Sequence, residues 1–363
     1  MKKIDRYILG KYLTTFFFCM ALFTMVIVVV DLSEKADDFT RIHFSLWQII
    51  TQYYIGFIPH IDALLFPLFV FLSVIFFTAK MADRSEVIAI LSSGVSFRRF
   101  LLPYWVGGLF LTGMLWFGYR SALPAANTIW GNFLSKYIDS NIQGIEDRAH
   151  TQNIYFKTDS TTYAEMRYYD TTTKTGNYFF IQQFRNNKMI YNLRSEFIIW
   201  DTATGNWKLS NVVERFVSGD HQKITRTLST TRHFNFRPQD IRSDDYFKDR
   251  LTTNELNDFI KMEEIRGSED VPTLLVERYS RDAIPVSIII LTLIGATLAS
   301  RKTRGGSGVH LGVGVVLSVL YILFGRLAIV FATKGSFTPW LAAWTPNFIF
   351  GALAYYLYRV AQQ

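Results

Sequence analysis

The chain has 363 residues, half of them hydrophobic, with 38 basic and 30 acidic side chains, a formal net charge of +8 and one cysteine. A positive mean hydropathy in so charged a chain places the apolar residues in blocks and excludes an evenly mixed soluble domain, while the lone Cys19 excludes an internal disulfide and a cysteine-based metal site. The basic excess lies in short loops rather than in the long middle segment, so the charge reports membrane topology and not nucleic-acid binding.

A helix needs about 20 apolar residues to cross a bilayer, and six runs approach that size. The first is Lys11 to Val30, "KYLTTFFFCMALFTMVIVVV". It exceeds a signal-peptide core and is followed by Asp31, Leu32 and Ser33 instead of a small-residue cleavage site, so it is expected to stay as an anchor. The second is Gly56 to Thr78, with Pro59, Pro67 and Asp62, the last near its outer end.

Next comes "MADRSEVIAILSSG", residues 81 to 94. Asp83 and Glu86 have capping-box spacing, Val87, Ile90 and Leu91 recur on one helical face, and Gly94 suits a left-handed terminator. A surface helix of about ten residues, roughly 15 Å long, is expected, with Arg84 and Glu86 facing outward. It is either a plain connector or a coupling helix that docks into a cytoplasmic ATPase. The third run, Phe100 to Leu123, follows.

Residues 124 to 276 form a large insert. It opens with a short helix expected over Pro124 to Asp139. The pattern then alternates with period two: "NIYFKTD", "TYAEMRYYD", "NYFFIQQF", "SEFIIWD", "WKLSNVVERFV" and "KITRTLSTT", separated by the turn signals "TKTGN", "RNNK", "TATGN" and "SGDH". Short strands at this spacing predict an all-β sandwich or open jelly roll, either a passive domain or a ligand-accepting sheet. After the loop "PQDIRSDDYFKDR", Thr252 and Glu255 predict a capped helix ending at Gly267.

The last three runs are Ala283 to Ser300, Val309 to Phe331 and Pro339 to Tyr358. Lys2, Lys3, Arg6, Lys11, Lys80, Arg84, Arg98, Arg99, Arg301, Lys302, Arg304 and Arg359 all fall on one side, which predicts cytoplasmic termini and an insert on the far side. The expected fold is thus an α-helical polytopic membrane protein of six spans, 3 + 3, with an inserted periplasmic jelly-roll-like β domain. Its divisions are 1–123, with the coupling helix at about 84–92, then 124–276 and 277–363.

No catalytic constellation is present. There is no phosphate-binding G-x-x-x-x-G-K-[ST], no H-E-x-x-H and no G-x-S-x-G. "RKTRGGSGVH" is a tight turn between spans. His43, His60, His221 and His233 lack metal-ligand spacing, so neither cofactor nor metal is expected. Asp62 and Arg326 stand out as charges near span ends, where function and snorkelling compete.

"IDRYILGKYLTTFFF", "RSEVIAILSSGVS", "ERYSRDAIPVSIIILTLIG" and "TPNFIFGALAYYLYR", together with Pro59 and Pro67, resemble the LptF/LptG family, the transmembrane subunits of the lipopolysaccharide-export ABC transporter. The likeness runs over the whole chain, and the "DRYI" opening leans toward the LptG-like member. It implies pairing with a second LptF/LptG-type permease subunit above a cytoplasmic LptB-like ATPase dimer. It also implies a periplasmic LptC/LptA-like bridge and lipopolysaccharide entering between span one of one subunit and span five of the other. Glu86 and Arg84 take the positions of the family's coupling-helix glutamate and its neighbouring arginine. Lys35 and Asp31 match the family at the outer end of span one, where basic residues meet lipid phosphates, whereas Val28 and Glu34 stand where some members carry lysine. Arg41, Arg281 or Arg326 then substitutes, or the partner subunit carries the contact. Outside the resemblance, a non-transporting scaffold and a lipid-active membrane enzyme remain as alternatives; the missing nucleophile and metal sets disfavour the enzyme.

Overall fold

In the computed structural model of the protein, the described residues are 2–134, 137, 150–159, 161–170, 173–186, 188–218, 221–238, 247–266, 268, 270–301, 307–335 and 337–361. They divide into two compact units, one of residues 1–131, 248–256 and 272–363 and one of residues 132–247 and 257–271.

The first unit is helical. Among the described residues five helices are long and apolar enough to cross a membrane: α1 (Lys3–Glu34), α3 (Leu46–Asp83), α5 (Phe97–Phe133), α8 (Val271–Ala299) and the Leu311–Lys334 part of α9 (Ser307–Lys334). The sixth expected span is α10 (Pro339–Ala361), 23 residues long. At about 1.5 Å per residue it can cross a hydrocarbon layer of about 30 Å. Its Trp340, Trp344, Pro346, Asn347 and three tyrosines dilute its hydropathy, and it falls short of the apolar measure the other five meet. Two short helices join these spans, α2 (Ala36–Ile42) and α4 (Glu86–Ser92).

The helices outrun the apolar runs that announce them. Hydropathy marks only the hydrocarbon-crossing part, while backbone hydrogen bonding continues through polar turns. α3 therefore begins at Leu46 rather than Gly56, passing through a π-helical turn at Ile50–Tyr54. Asp62, near the start of the apolar run, is therefore not near the end of the helix itself. It lies well inside the helix and accepts a 2.5 Å hydrogen bond from the Thr24 hydroxyl of α1.

The helices α3 and α8 form the centre: 67% and 61% of their apolar windows are buried, against 6% for α1 and 22% for α9. Lipid tails are as apolar as leucine, so close packing and cross-helix hydrogen bonds must hold such a bundle together. Both are present. A Cβ at Gly107 would lie 2.6 Å from the Tyr12 ring, so only glycine lets α5 approach α1 this closely. The rings of Phe16 and Phe66 pack at 4.9 Å and those of Phe23 and Phe69 at 5.7 Å. Tyr12 and Thr292 share a buried hydrogen bond of 2.9 Å, and Thr78 and Tyr104 one of 2.8 Å. Asn347 donates to the Ala283 carbonyl at 2.7 Å and accepts from the Tyr321 hydroxyl at 3.2 Å. Each pair satisfies polar atoms that hydrocarbon cannot.

The second unit carries a six-stranded antiparallel sheet: β1 (His150–Lys157), β2 (Thr162–Asp170), β3 (Thr175–Arg185), β4 (Lys188–Asp201), β5 (Asn206–Ser218) and β6 (His221–Arg232). The segment "TYAEMRYYD" is β2 residue for residue. The all-β insert is as expected, and among the described residues its six strands follow one another as a meander in one antiparallel sheet. The short turns explain this, because each strand pairs with the one before it. One face is apolar. Ala164, Ile181 and Leu193 sit opposite one another across three strands, with Met166 beside Phe179. The chain after β6 folds back over this face: Phe234 and Phe236 stack at 5.3 Å, and the Trp207 indole donates to the Phe236 carbonyl at 2.9 Å. β6 contributes little to that core, with Ile224 and Leu228 exposed.

Two short helices follow, α6 (Phe247–Arg250) and α7 (Thr253–Arg266). The capping box at α7 forms as expected: the Thr252 amide donates to Glu255 at 2.8 Å and the Glu255 amide to the Thr252 hydroxyl at 3.4 Å. The Thr252 hydroxyl, donating to the Glu255 carboxylate at 2.7 Å, and the Thr252 amide hold that carboxyl below its ordinary range. The expected terminator Gly267, the glycine-rich turn at 302–306, most of the loop before α6 and the end of the helix expected to reach Asp139 lie outside the described residues.

Candidate functional site

The short helix α4 is built differently from its sequence signature. Asp83 is the last residue of α3, Arg84 closes that helix, and Ser85 turns the chain with φ +61 before α4 begins at Glu86. The expected Asp83–Glu86 capping box does not form, because α3 keeps its backbone bonds through this point: the Arg84 amide donates to the Lys80 carbonyl and the Ser85 amide to the Ala82 carbonyl. The helix has seven residues. Gly94 ends the segment as expected, with φ +84 and its amide on the Leu91 carbonyl at 3.1 Å.

The apolar face of α4 turns inward. Val87 is 1% exposed, and Ile90 and Leu91 pack against the same cluster as Phe77, Met81 and Phe100. Arg84, Ser85, Ile88 and Ala89 face outward. Glu86 lies at the border, where it accepts from the Tyr7 hydroxyl of α1 at 3.3 Å and sits 4.0 Å from Arg84. The helix is thus continuous in chain with α3 and α5 and pinned to α1. Arg99 of α5 reaches Asp5 of α1 at 2.6 Å, and Arg98 reaches Tyr358 of α10 at 2.9 Å, so both ends of the chain lie at this end of the bundle.

At the opposite end of α1, Asp31 and Lys35 pair at 2.9 Å, and the Tyr53 hydroxyl bonds to both. The Lys35 ammonium lies 4.7 Å from the centre of the Tyr53 ring and 5.5 Å from that of Phe57. Its charge is therefore largely met inside the protein. Asp31 Oδ2 and the Tyr54 hydroxyl are buried in the same cluster. Arg41 on α2 and Arg326 on α9 are exposed, and neither is paired with a carboxylate among the described residues.

Arg281, expected among the lipid-binding residues, is engaged inside the protein. Its side chain is 4% exposed and donates to Glu277 at 3.1 Å, to the Leu251 carbonyl at 2.7 Å and to the Lys248 carbonyl at 3.0 Å. It ties the chain returning from the insert to α8. The Glu277–Arg281 spacing of one helical turn was legible, but the carbonyls that complete the cluster were not. Beside it, Asn127 accepts a 2.9 Å hydrogen bond at Oδ1 from the His60 ring Nδ1 and donates through Nδ2 to the Asp249 carbonyl at 2.8 Å. Burial, reinforced by the nearby Glu277 carboxylate, pushes the Asp249 carboxyl up to about 6. Tyr7, Tyr53 and Asn127 carry no sequence signal that marks them for these contacts. Among the described residues no group of His, Cys, Asp or Glu is arranged to hold a metal ion.

Long apolar helices on either side of an inserted antiparallel sheet define a polytopic membrane protein with an extramembrane β domain. Residues 6–360 match the lipopolysaccharide export system permease LptF/LptG, and the chain belongs to that family. The match is to the two subunit types jointly. It makes the protein a multi-pass inner-membrane permease subunit of lipopolysaccharide export. No curated protein sequence matches the chain.

Proposed function

We propose that this permease subunit is driven by a separate cytoplasmic ATPase, with α4 as the lever that carries the motion. The observation that supports this is the seating of α4. Val87 anchors it in the bundle, the Tyr7–Glu86 bond ties it to α1, and Arg84, Glu86 and Ile88 remain at its outer surface. In this reading Val87, Ile90 and Leu91 fix the lever to the spans, and the outward residues meet an LptB-like ATPase dimer. The termini are cytoplasmic and the sheet periplasmic, in keeping with the basic short loops.

A second LptF/LptG-type subunit packs against the apolar flanks left open on α1 and α9, where Met25, Val29, Val316 and Phe331 are exposed. Lipopolysaccharide enters between α1 of one subunit and α9 of the other, with Arg41 and Arg326 available to its phosphates. Each buried methylene holds the lipid in the bilayer by about 0.8 kcal/mol, so extraction needs an apolar receiving cavity and an external energy source. The edges of the sheet, β1 and β6, carry no ladder partner among the described residues and suit continuation by an LptC/LptA-like bridge protein.

The test is Glu86→Arg in the assembled complex. The variant should insert and retain its partners but lose at least tenfold in lipid-stimulated ATP turnover. Normal turnover with the ATPase still bound would overturn the lever. A second reading, a scaffold that only recruits an envelope protein, is favoured by the open edge at β6 alone. It requires that neither an ATPase nor a second six-span subunit copurify.

A further inference from the structure

A groove of about 510 Å³ opens between α5, α8 and α10, at the end of the bundle that carries both chain termini. We propose that it holds one anionic glycerophospholipid as a resident lipid, with an acyl chain in the apolar trough and the phosphate between Arg98 and Arg359. These are not the helices α1 and α9 assigned to cargo, and the inference does not depend on that assignment.

Leu101 and Trp105 of α5, Ile290 and Leu293 of α8 and Ala354 of α10 supply the apolar lining. The trough is open at Gly351, where a Cβ would meet only Ile290 Cδ1, at 4.0 Å. The volume falls within the ordinary range for a small-molecule site and suits an acyl chain rather than a lipid with many.

The mouth selects the sign of the headgroup. Arg98 donates through Nε to the Tyr358 hydroxyl at 2.9 Å. Arg359 donates through Nε and Nη2 to the Tyr355 hydroxyl at 2.9 and 2.7 Å, and its guanidinium lies 5.3 Å from the centre of that ring. Both tyrosines line the groove. The two guanidiniums are therefore tethered at the rim. Neither meets a carboxylate among the described residues, and each keeps N–H donors to spare. A planar guanidinium fits phosphate oxygens, and arginines near helix ends sit at headgroup depth.

The test is native mass spectrometry of the full-length protein in mild detergent, titrated separately with phosphatidylglycerol and phosphatidylethanolamine of identical chains. One phosphatidylglycerol should bind with a half-saturation at least tenfold below that of phosphatidylethanolamine. The double change Arg98→Gln and Arg359→Gln should erase this preference, and Arg98→Lys with Arg359→Lys should largely keep it. Gly351→Trp should remove binding of both lipids while the melting temperature holds. Equal binding of the two lipids by the unaltered protein, a preference that survives the glutamine pair, or displacement of the bound phospholipid by lipopolysaccharide would overturn the proposal.

Discussion

Tyr7 on the first span donates its hydroxyl to Glu86 on α4, 3.3 Å away and 79 residues along the chain. The bond is exposed and worth little by itself. Its value is geometric: it joins the start of α4 to a third helix, so α4 cannot swing about its two chain connections alone.

The stronger anchor is Val87. Val87→Ala removes two methyl groups from a side chain that is 1% exposed and should cost about 1–2 kcal/mol. Val87→Asp buries an unpaired charge and should release α4 from the bundle. Thermal unfolding in detergent measures the first. Loss of lipid-stimulated ATP turnover, with the protein still in the membrane, reports the second.

Ser85 holds φ +61 with no side-chain cap to reward it. Only glycine adopts that conformation without penalty. Ser85→Gly should therefore be neutral or stabilising by up to about 1 kcal/mol, whereas Ser85→Val should destabilise by at least as much. The melting temperatures of the two variants should fall on opposite sides of the parent or nearly so.

Arg281→Met keeps the length of the side chain but strands Glu277 and the carbonyls of Leu251 and Lys248. Breaking a buried pair on one side costs about 3–5 kcal/mol. The expected outcome is a sharply lower melting temperature and faster proteolysis around residues 247–252, without a change in lipid selectivity.

Asp249 gives a pH dependence with a defined sign. Its carboxyl is raised in the folded chain from 3.8 to about 6, so the folded state holds the proton more tightly than the unfolded state. Protonation therefore favours folding. The group costs nothing below about pH 4, and the penalty grows as pH climbs to about 6 and is full beyond it. Asp249→Asn should raise stability at pH 7.5 by about 1 kcal/mol or more and change it little at pH 4. A variant that melts with the parent at both pH values would contradict this.

The sequence carries the fold through periodicity. Apolar runs locate the helices, and alternation locates the strands so closely that β2 needs no adjustment. Direction is harder to see. Val87, Ile90 and Leu91 lie on one face of α4 by spacing alone, but spacing does not say whether that face meets a partner or the protein's own core. Arg281 looks like an available cation until the Leu251 and Lys248 carbonyls, thirty or more residues back, are folded against it. The apolar run beginning at Gly56 does not show that the π-helical turn at Ile50–Tyr54 carries α3 back to Leu46, nor that Thr24 of α1 meets Asp62. In each case the missing information is a long-range contact, which no local pattern encodes.

Nearly all twelve residues of β6 face solvent, and the edge beyond it has no ladder partner among the described residues. Ile224 and Leu228 share one side of that strand, with Arg226 between them. Such an edge is a growth face guarded by a few charges. With that edge uncovered, copies of the chain should add to one another through β6 as their concentration rises, so crowding itself becomes a hazard for the isolated protein.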